Sequence, residues 1–500
     1  MNSWQRFKET ELPPKKAFYS KLKMKVISDE DYEHAQKVWN VINPKGAEVN
    51  KGDYHDIYLV AHVLILTDIF HSFRNVYLDQ YKLDPAHFYS APGLAWKAAL
   101  KYTKIKLELL TDPDMLLMFE KGIQGGITQA VHRYAIANNK YMGDQYVPEI
   151  ESSYLQYLDA NNLYGWAMRQ DLPTHGFKWL LNVETFTEKK IEKLVADNKH
   201  GYLLEIDTDY PKILHDKHNE LPLLPERKVV HRVEKLIPNL EHKRKYVVHI
   251  GALHQALKHG LGLKKVHKFN QKPWLRDYID HNTRLRKASK NEIQTDFYKT
   301  MILSVFGKAI ENIRNHRNIK LVTNEAAYTK LVMQPNFRGG NYFSENHMGV
   351  EMGRMGIKMN KPVYVGQAIL DQSKTIMYEF HYDYMQPNYG SKLRICYMDT
   401  DSFSYHIRTE DLYRDIAEDV ETRFDTIAYS KDDSRPLPPP IGKNKKVVGL
   451  LKDELSGKIM TEFITLRPKA YAYKALTKEG GDPKAKGVCK KVCHKEIHHL

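Results

Sequence analysis

Tyr397-Met398-Asp399-Thr400-Asp401-Ser402-Phe403 sets two carboxylates one residue apart, with Leu393 and Ile395 before and Tyr405 after. The pattern predicts a β-hairpin tip in which Asp399 and Asp401 project to one side and Thr400 to the other. Two such acids repel each other and destabilise the chain unless a cation lies between them. One chemistry that uses the pair is phosphoryl transfer on two divalent ions ~3.5–4 Å apart, which hold the attacking and leaving oxygens. An Asx-type turn explains the same residues equally well. The heptapeptide alone does not separate the two.

Two further segments carry related chemistry. Leu158-Asp159-Ala160-Asn161-Asn162-Leu163-Tyr164-Gly165 ends an apolar strand on an acid and follows it with a tyrosine. An acid there can hold a metal, and the amides after it can receive a phosphate tail; a helix N-cap is the plainer reading. Lys299 to Lys308 reads as a helix on which Lys299, Leu303, Phe306 and Gly307 share a face. That face offers a cation, a flat ring and a glycine that permits close approach. A solvated lysine beside a packed ring would look the same. Acid, cationic helix and acid pair, in that order, are harder to explain separately.

The elements that must position these groups follow from periodicity. Residues 1–150 read as mostly helical, with Ser28 and Asp31 resembling a capping box that opens a helix through Trp39. Tyr54 to Tyr77 has the apolar period of a buried helix. Its longest apolar run, Ile57 to Phe70, holds His62 and Asp68 and is too short to span a bilayer. Gly122-Ile123-Gln124-Gly125-Gly126 predicts a flexible turn with exposed backbone, and Tyr154 to Leu158 a strand. From about 220 to 320 the chain reads as basic and helical, and 340–410 as mixed. Arg435 to Pro440 is a stiff extended linker, and Thr461 to Tyr473 is strand-like.

Five hundred residues imply two to four subdomains. A formal charge of +15 points to a polyanionic partner, nucleic acid before membrane. Thirty-two tyrosines fit base stacking. Three cysteines (Cys396, Cys489, Cys493) give no disulfide framework, and the N-terminus lacks a signal-peptide core, so an intracellular protein is expected. Gly260-Leu261-Gly262 lacks the strand and third glycine of a dinucleotide loop.

The order of these segments resembles that of a family B DNA polymerase, specifically the protein-primed branch of Polinton/Maverick-type mobile elements and related viruses. Asp159 to Tyr164 resembles motif A, Lys299 to Gly307 motif B, and Tyr397 to Ser402 the Tyr-x-Asp-Thr-Asp-Ser motif C. Lys469-Ala470-Tyr471 is similar to the Lys-x-Tyr motif, and Ile123 to Gly126 to the Gly-rich link between exonuclease and polymerase regions. The resemblance implies an α+β right-hand fold with an antiparallel palm sheet, helical fingers, a partial exonuclease-like N-terminal domain and a truncated thumb. The implied boundaries are 1–150 for the exonuclease remnant and linker, 151–225 for the first palm part, 226–330 for insertion and fingers, 331–475 for the second palm part and 476–500 for the thumb.

The resemblance also implies roles. Asp159 and Asp401, with Asp399 beside them, bridge two Mg2+ ions, for which Mn2+ can substitute. Leu163, Tyr164, Lys299, Lys287, Phe306 and Gly307 meet the incoming dNTP, Tyr164 excluding a ribose 2′-hydroxyl. Gly125, Gly126, Thr400, Lys469 and Tyr471 contact the DNA primer–template. The segment between Asp159 and Lys299 holds the insertion for a terminal protein primer. No membrane partner is expected, and the implied location is the nucleus or a viral replication site.

Departures from the family set further expectations. His62 stands where the third exonuclease motif needs an acid, and Mg2+ prefers oxygen to imidazole. Asp31-Tyr32-Glu33 falls in a capped helix rather than a strand. No proofreading is therefore expected. Ile302 and Leu303 replace the small polar residue usual before Ser304. Residues upstream of Met1 and most of the thumb are expected to be missing. Cys489, Cys493 and His494 fit no common zinc spacing and read as a basic, DNA-facing segment. Three other readings remain: a decayed DNA-binding relic, a reverse transcriptase (in which the two acids would be adjacent), and a metal nuclease that leaves Lys299 and Phe306 without a role.

Overall fold

The computed structural model describes residues 4–20, 25–44, 48–179, 187–197, 200–263, 268–344, 346–427, 429, 435, 444–476 and 482–486. The chain divides into two compact units, one over Met1–Tyr89 and one over Ser90–Gly487. The zinc candidate Cys489–His494 and most of the proline-rich linker lie outside the described residues.

In the first unit Ser28 accepts a hydrogen bond from the Asp31 amide and opens helix α1 (Asp29–Ile42), so Asp31-Tyr32-Glu33 is helical. Helix α2 (Lys51–Tyr81) starts on a reciprocal box, in which the Asn50 side chain caps the first turn and Asp53 accepts from the Asn50 amide. The expected helix is present, but its burial is not. Ile57, Leu59, Val60, Val63, Leu64, Ile65, Leu66, Ile69 and Phe70 are 43–66% exposed, and only Lys51, Tyr77 and Tyr81 are buried. The apolar residues go all the way round the helix instead of forming one stripe, so no single packing partner could cover them. The run that looked too short for a bilayer also sits within 31 helical residues, long and apolar enough by length and composition to cross one.

The second unit opens with helices α3 (Ala91–Thr103) and α4 (Pro113–Lys121), then β1 (Thr128–Ala130), β2 (Ser153–Ala160), the short helix α5 (Leu163–Met168) and β3 (Leu172–Lys178). The expected helical stretch from 220 is strand first: β4 (Glu226–Val230) and β5 (Val233–Ile237) form a hairpin. Its turn residues, His231 and Arg232, both adopt left-handed backbone (φ 48° and 66°), the geometry of a type I′ turn without its usual Asn-Gly signal. Strand β6 (Lys268–Lys272) pairs with β3. Helices α6 (Arg276–Ala288) and α7 (Glu292–Ala309) follow, then α8 (Val363–Glu379). Then come β7 (Leu393–Asp399), β8 (Ser402–Arg408), β9 (Leu451–Asp453), β10 (Met460–Arg467) and β11 (Ala470–Ala475), the last paired with a strand over Asp482–Lys486.

A central antiparallel sheet runs β1-β7-β8-β2-β10-β11. Both faces are covered, which explains why β2 is almost continuously apolar. Tyr154 and Leu158 point into one core with Ile395, Phe403, Tyr405 and Met377. Leu155 and Tyr157 point into a second with Tyr397, Phe463 and Tyr471. By the two-residue period, Asp159 lies on the Tyr157 face and Asp399 on the Tyr397 face, so both acids leave the sheet on the same side.

Beneath the first core sits a buried histidine cluster. His218 accepts from or donates to the Tyr210 hydroxyl at 2.9 Å, His381 contacts the Tyr405 hydroxyl at 3.2 Å, and the Tyr382 ring meets His218 edge-on and His259 at a tilt. Burial, then the neighbouring cations and imidazoles, hold His218 down to about 4 and His381 to about 3. Unfolded imidazoles titrate near 6.5, so the unfolded chain binds more protons throughout this interval. Stability is expected to fall as pH drops through about 6.5 and to level off below about 3. Urea midpoints between pH 7.5 and 4.5 check this, and a flat series would contradict it.

Candidate active site

The three acids arrive by separate routes. Ser402 on β8 is in register with Asp159 on one side and Asp399 on the other. The two flanking acids therefore lie two strand spacings apart, ~9.6 Å at Cα. Asp401 sits in the turn between β7 and β8, with its carbonyl accepting from the Ala160 amide at 2.7 Å. The hairpin tip is as expected, but Asp399 and Asp401 do not alternate along one strand. Thr400 turns the chain through left-handed backbone (φ 58°), and the turn carries Asp401 back beside Asp399.

That turn is fastened from outside. The Thr400 amide donates to the Ile127 carbonyl at 2.7 Å, and the Thr128 hydroxyl donates to Asp399 at 2.8 Å. A Cβ built on Gly126 would lie 2.4 Å from Thr400 Oγ1 and 2.5 Å from its Cγ2, whereas one on Gly125 meets nothing. The Gly-rich segment is thus a close-fitting brace, with Gly122 buried against Val247 and Gln367 rather than exposed. Gly126→Val is expected to displace the hairpin at a cost of about 1–3 kcal/mol and to abolish activity while Gly125→Ala is silent; equal activity in the two variants would contradict the brace.

Burial raises the Asp401 carboxyl above its usual range, and the nearby Asp399 and Glu454 charges add to it. Lys469, at the left-handed tip between β10 and β11 (φ 62°), bonds both Asp399 oxygens at 2.7 and 2.9 Å, and its amide donates to the Tyr397 hydroxyl. Lys452 on β9 is in register with Asp159 and bonds Glu454 at 2.5 Å. Burial lowers its pKa, but Glu454, Asp159 and Asp425 outweigh that and raise it. Among the described residues no three His, Cys, Asp or Glu side chains already converge as a metal cage. The donor set nevertheless fits a hard divalent cation: the carboxylates are all oxygen, and their mutual repulsion is only partly met by two lysines.

Tyr164 follows Asp159 on α5, whose first turn is capped by Asn162. Its ring stacks on Phe306 of α7 at 4.5 Å and 10°. Burial, then the Asp401 charge, raises the Tyr164 hydroxyl, so the stacked pair stands beside the acids. Lys299 is exposed two turns before Phe306, and Gly307 is open, with nothing within 4 Å of a built Cβ. Leu163 is 2% exposed in the core, leaving its backbone as the part able to meet a ligand. Tyr471 is likewise buried, its hydroxyl 2.7 Å from that of Tyr157. Lys287 points to solvent at the end of α6.

The neighbour of Lys287 is the inward residue. Arg286 follows the buried Asn282 by one helical turn, and its Nε is buried without a partner. Lys446 is held below its ordinary pKa by burial and then by the Arg286 charge. At Arg286 the Asp296 carboxylate partly offsets the effect of burial. Sequence reading passed over both Arg286 and Lys446, although the Tyr278–Asn282–Arg286 spacing was the available signal.

The family model for DNA polymerase type B, organellar and viral, matches residues 14–387. Solved structures of Phi29 DNA polymerase share the fold. The complex with primer–template DNA is 14% identical with a TM-score of 0.52, covering 98% of this chain and 73% of that one. The complex with primer–template DNA and incoming nucleotides is 17% identical with a TM-score of 0.50, covering 95% and 67%. The orthorhombic form is 16% identical with a TM-score of 0.48, covering 83% and 63%, so the chain spans less than two thirds of that form and 63–73% of the Phi29 chains compared. None of the curated proteins matches in sequence. The fold is that of a DNA polymerase of the Phi29 kind. The chain belongs to the organellar and viral type B DNA polymerases.

Proposed function

We propose that the protein is a template-directed DNA polymerase that extends a primer, supplied as a terminal protein, with dNTPs during replication of a mobile element or virus. The observation that carries this reading is the placement of Asp159, Asp399 and Asp401 at one end of the neighbouring strands β2, β8 and β7, with Tyr164 stacked on Phe306 near Asp401. Asp159, Asp399 and Asp401 are the residues that would hold Mg2+. When bound, such ions neutralise charge on the reacting phosphate and ease deprotonation of the primer 3′-hydroxyl.

The chain's own groups do the rest. Arg286, Lys446 and Lys299 receive the triphosphate tail, and their charges orient the α-phosphate toward the acids. The Tyr164–Phe306 pair forms a flat wall for sugar and base. Lys469 keeps Asp399 from recoiling from its neighbours before substrate arrives. Leu303 adds apolar bulk next to that wall, where the family has a small polar group.

Proofreading is not expected. His62 is on α2, its ring 4.0 Å from that of Tyr58, in the position where the resemblance calls for an acid. Extension of a labelled primer–template with Mg2+ and dNTPs tests the proposal, with a nucleotide-free lane for 3′ shortening. Extension without shortening supports it. DNA binding with no extension would favour the decayed relic, and shortening would refute the loss of proofreading.

A further inference from the structure

The strongest unassigned feature is a basic groove of about 580 Å3 at the C-terminal end of α3. Lys104 ends α3 in left-handed backbone, and Lys104 to Glu108 then runs extended. That segment is pinned to β3 and α8. The Glu108 amide donates to the Thr174 carbonyl at 2.9 Å, and the Tyr364 hydroxyl donates to the Glu108 carbonyl at 2.6 Å. Lys104, Lys106 and Glu108 are exposed along it, with Ile105 and Leu107 half-buried between them. Lys272 on β6 and His175 on β3 complete the lining.

Charge decides what fits. Lys104, Lys106 and Lys272 have no ion-pair partner among the described residues. The lining contains one acid, Glu108, and its carboxylate is already occupied by the Gly176 amide at 2.5 Å. Three cations against one carboxylate leave the groove with a net positive field. The volume suits roughly two or three nucleotides of one strand and not a duplex. Tyr102, next to the lining residue Thr103, is 39% exposed with its ring backed by His281 at 5.1 Å, an aromatic surface suited to stacking a base.

We propose that this groove is a second backbone-binding site, which holds single-stranded DNA. The inference rests on the nucleic-acid reading above and extends it to a strand that is not being copied at that moment.

The test uses full-length protein and a 5′-labelled single-stranded 30-mer, followed by anisotropy across a salt series. The triple variant K104S/K106S/K272S is compared with K104R/K106R/K272R and with K189S/K193S/K212S, which removes equal charge elsewhere. The Ser triple is expected to flatten the log–log salt slope by about 2, because each lost phosphate contact on a single strand is worth about 0.7, and to weaken binding about tenfold at low salt. The Arg triple and the control should keep the wild-type slope. An unchanged slope in the Ser triple, or an equal loss in the control, overturns the groove. Extension of a primer–template with a two-nucleotide overhang separates the two readings. If wild type extends but the slopes do not differ, only the groove fails. If wild type does not extend and the slopes do differ, only the polymerase reading fails.

Discussion

Asp401→Asn is expected to abolish primer extension, by on the order of a thousandfold or more, while DNA affinity stays within about twofold of wild type. The size follows from the several kcal/mol that a metal pair contributes to charge stabilisation, each 1.36 kcal/mol being tenfold in rate. The amide is isosteric, so the turn survives: the Asp401 carbonyl still accepts from the Ala160 amide, and the Asp401 amide still donates to the Asp399 carbonyl. It removes one of three like charges, and the variant should therefore melt no lower than wild type, since Asp401 is buried beside Asp399 and Glu454. Extension rates and a thermal melt measured on the same preparation check both halves. Retained extension would remove Asp401 from the catalytic set. A lowered melting temperature would mean that the carboxylate has a structural partner.

Much of this centre could be read from the chain because its parts are short and local. The hairpin at Asp399, the strand that ends at Asp159 and the Lys299–Gly307 helix are each specified by residues within ten positions of the chemistry. What escaped depends on contacts between distant segments. Gly126 looks like a flexible link until Thr400 is placed against it. Tyr471 looks like a DNA contact until β10 and β11 pair and bury it under Tyr397. Lys452 carries no local signal at all and matters only through its register with Asp159. The β4–β5 hairpin was missed because His231-Arg232 makes its turn without the usual residues. The burial expected for α2 failed because period and burial are different properties when apolar residues surround a helix.

Tyr164→Ala is expected to raise ribonucleotide use relative to deoxyribonucleotide, on the order of tenfold to a hundredfold, the scale on which pockets discriminate by bulk. Tyr164→Phe should keep the wild-type ratio, since the ring is the obstacle and the hydroxyl is not. The stack at 4.5 Å and 10° makes Phe306 a second determinant. Removing its partner forfeits about 0.5–1.5 kcal/mol of ring–ring contact, so Tyr164→Ala should also raise the KM for dNTP a few-fold. Competition between rNTP and dNTP on one template gives the ratio directly. A ratio unchanged in the Ala variant would show that the ring does not meet the sugar.

The fastening of the acid-bearing hairpin also bears on how the protein matures. Thr128 bonds Asp399 across 271 positions, and Lys469 reaches the same carboxylate from 70 positions further on. Contacts this far apart in the chain are the slow ones to form, because loop closure must come first. On the ribosome, a chain released only as far as motif C has both hairpin acids but lacks the lysine that neutralises one of them. The centre is thus assembled last and all at once, when β10 and β11 emerge, and a chain stopped short of Lys469 is left with an edge of unmatched negative charge in place of an active site.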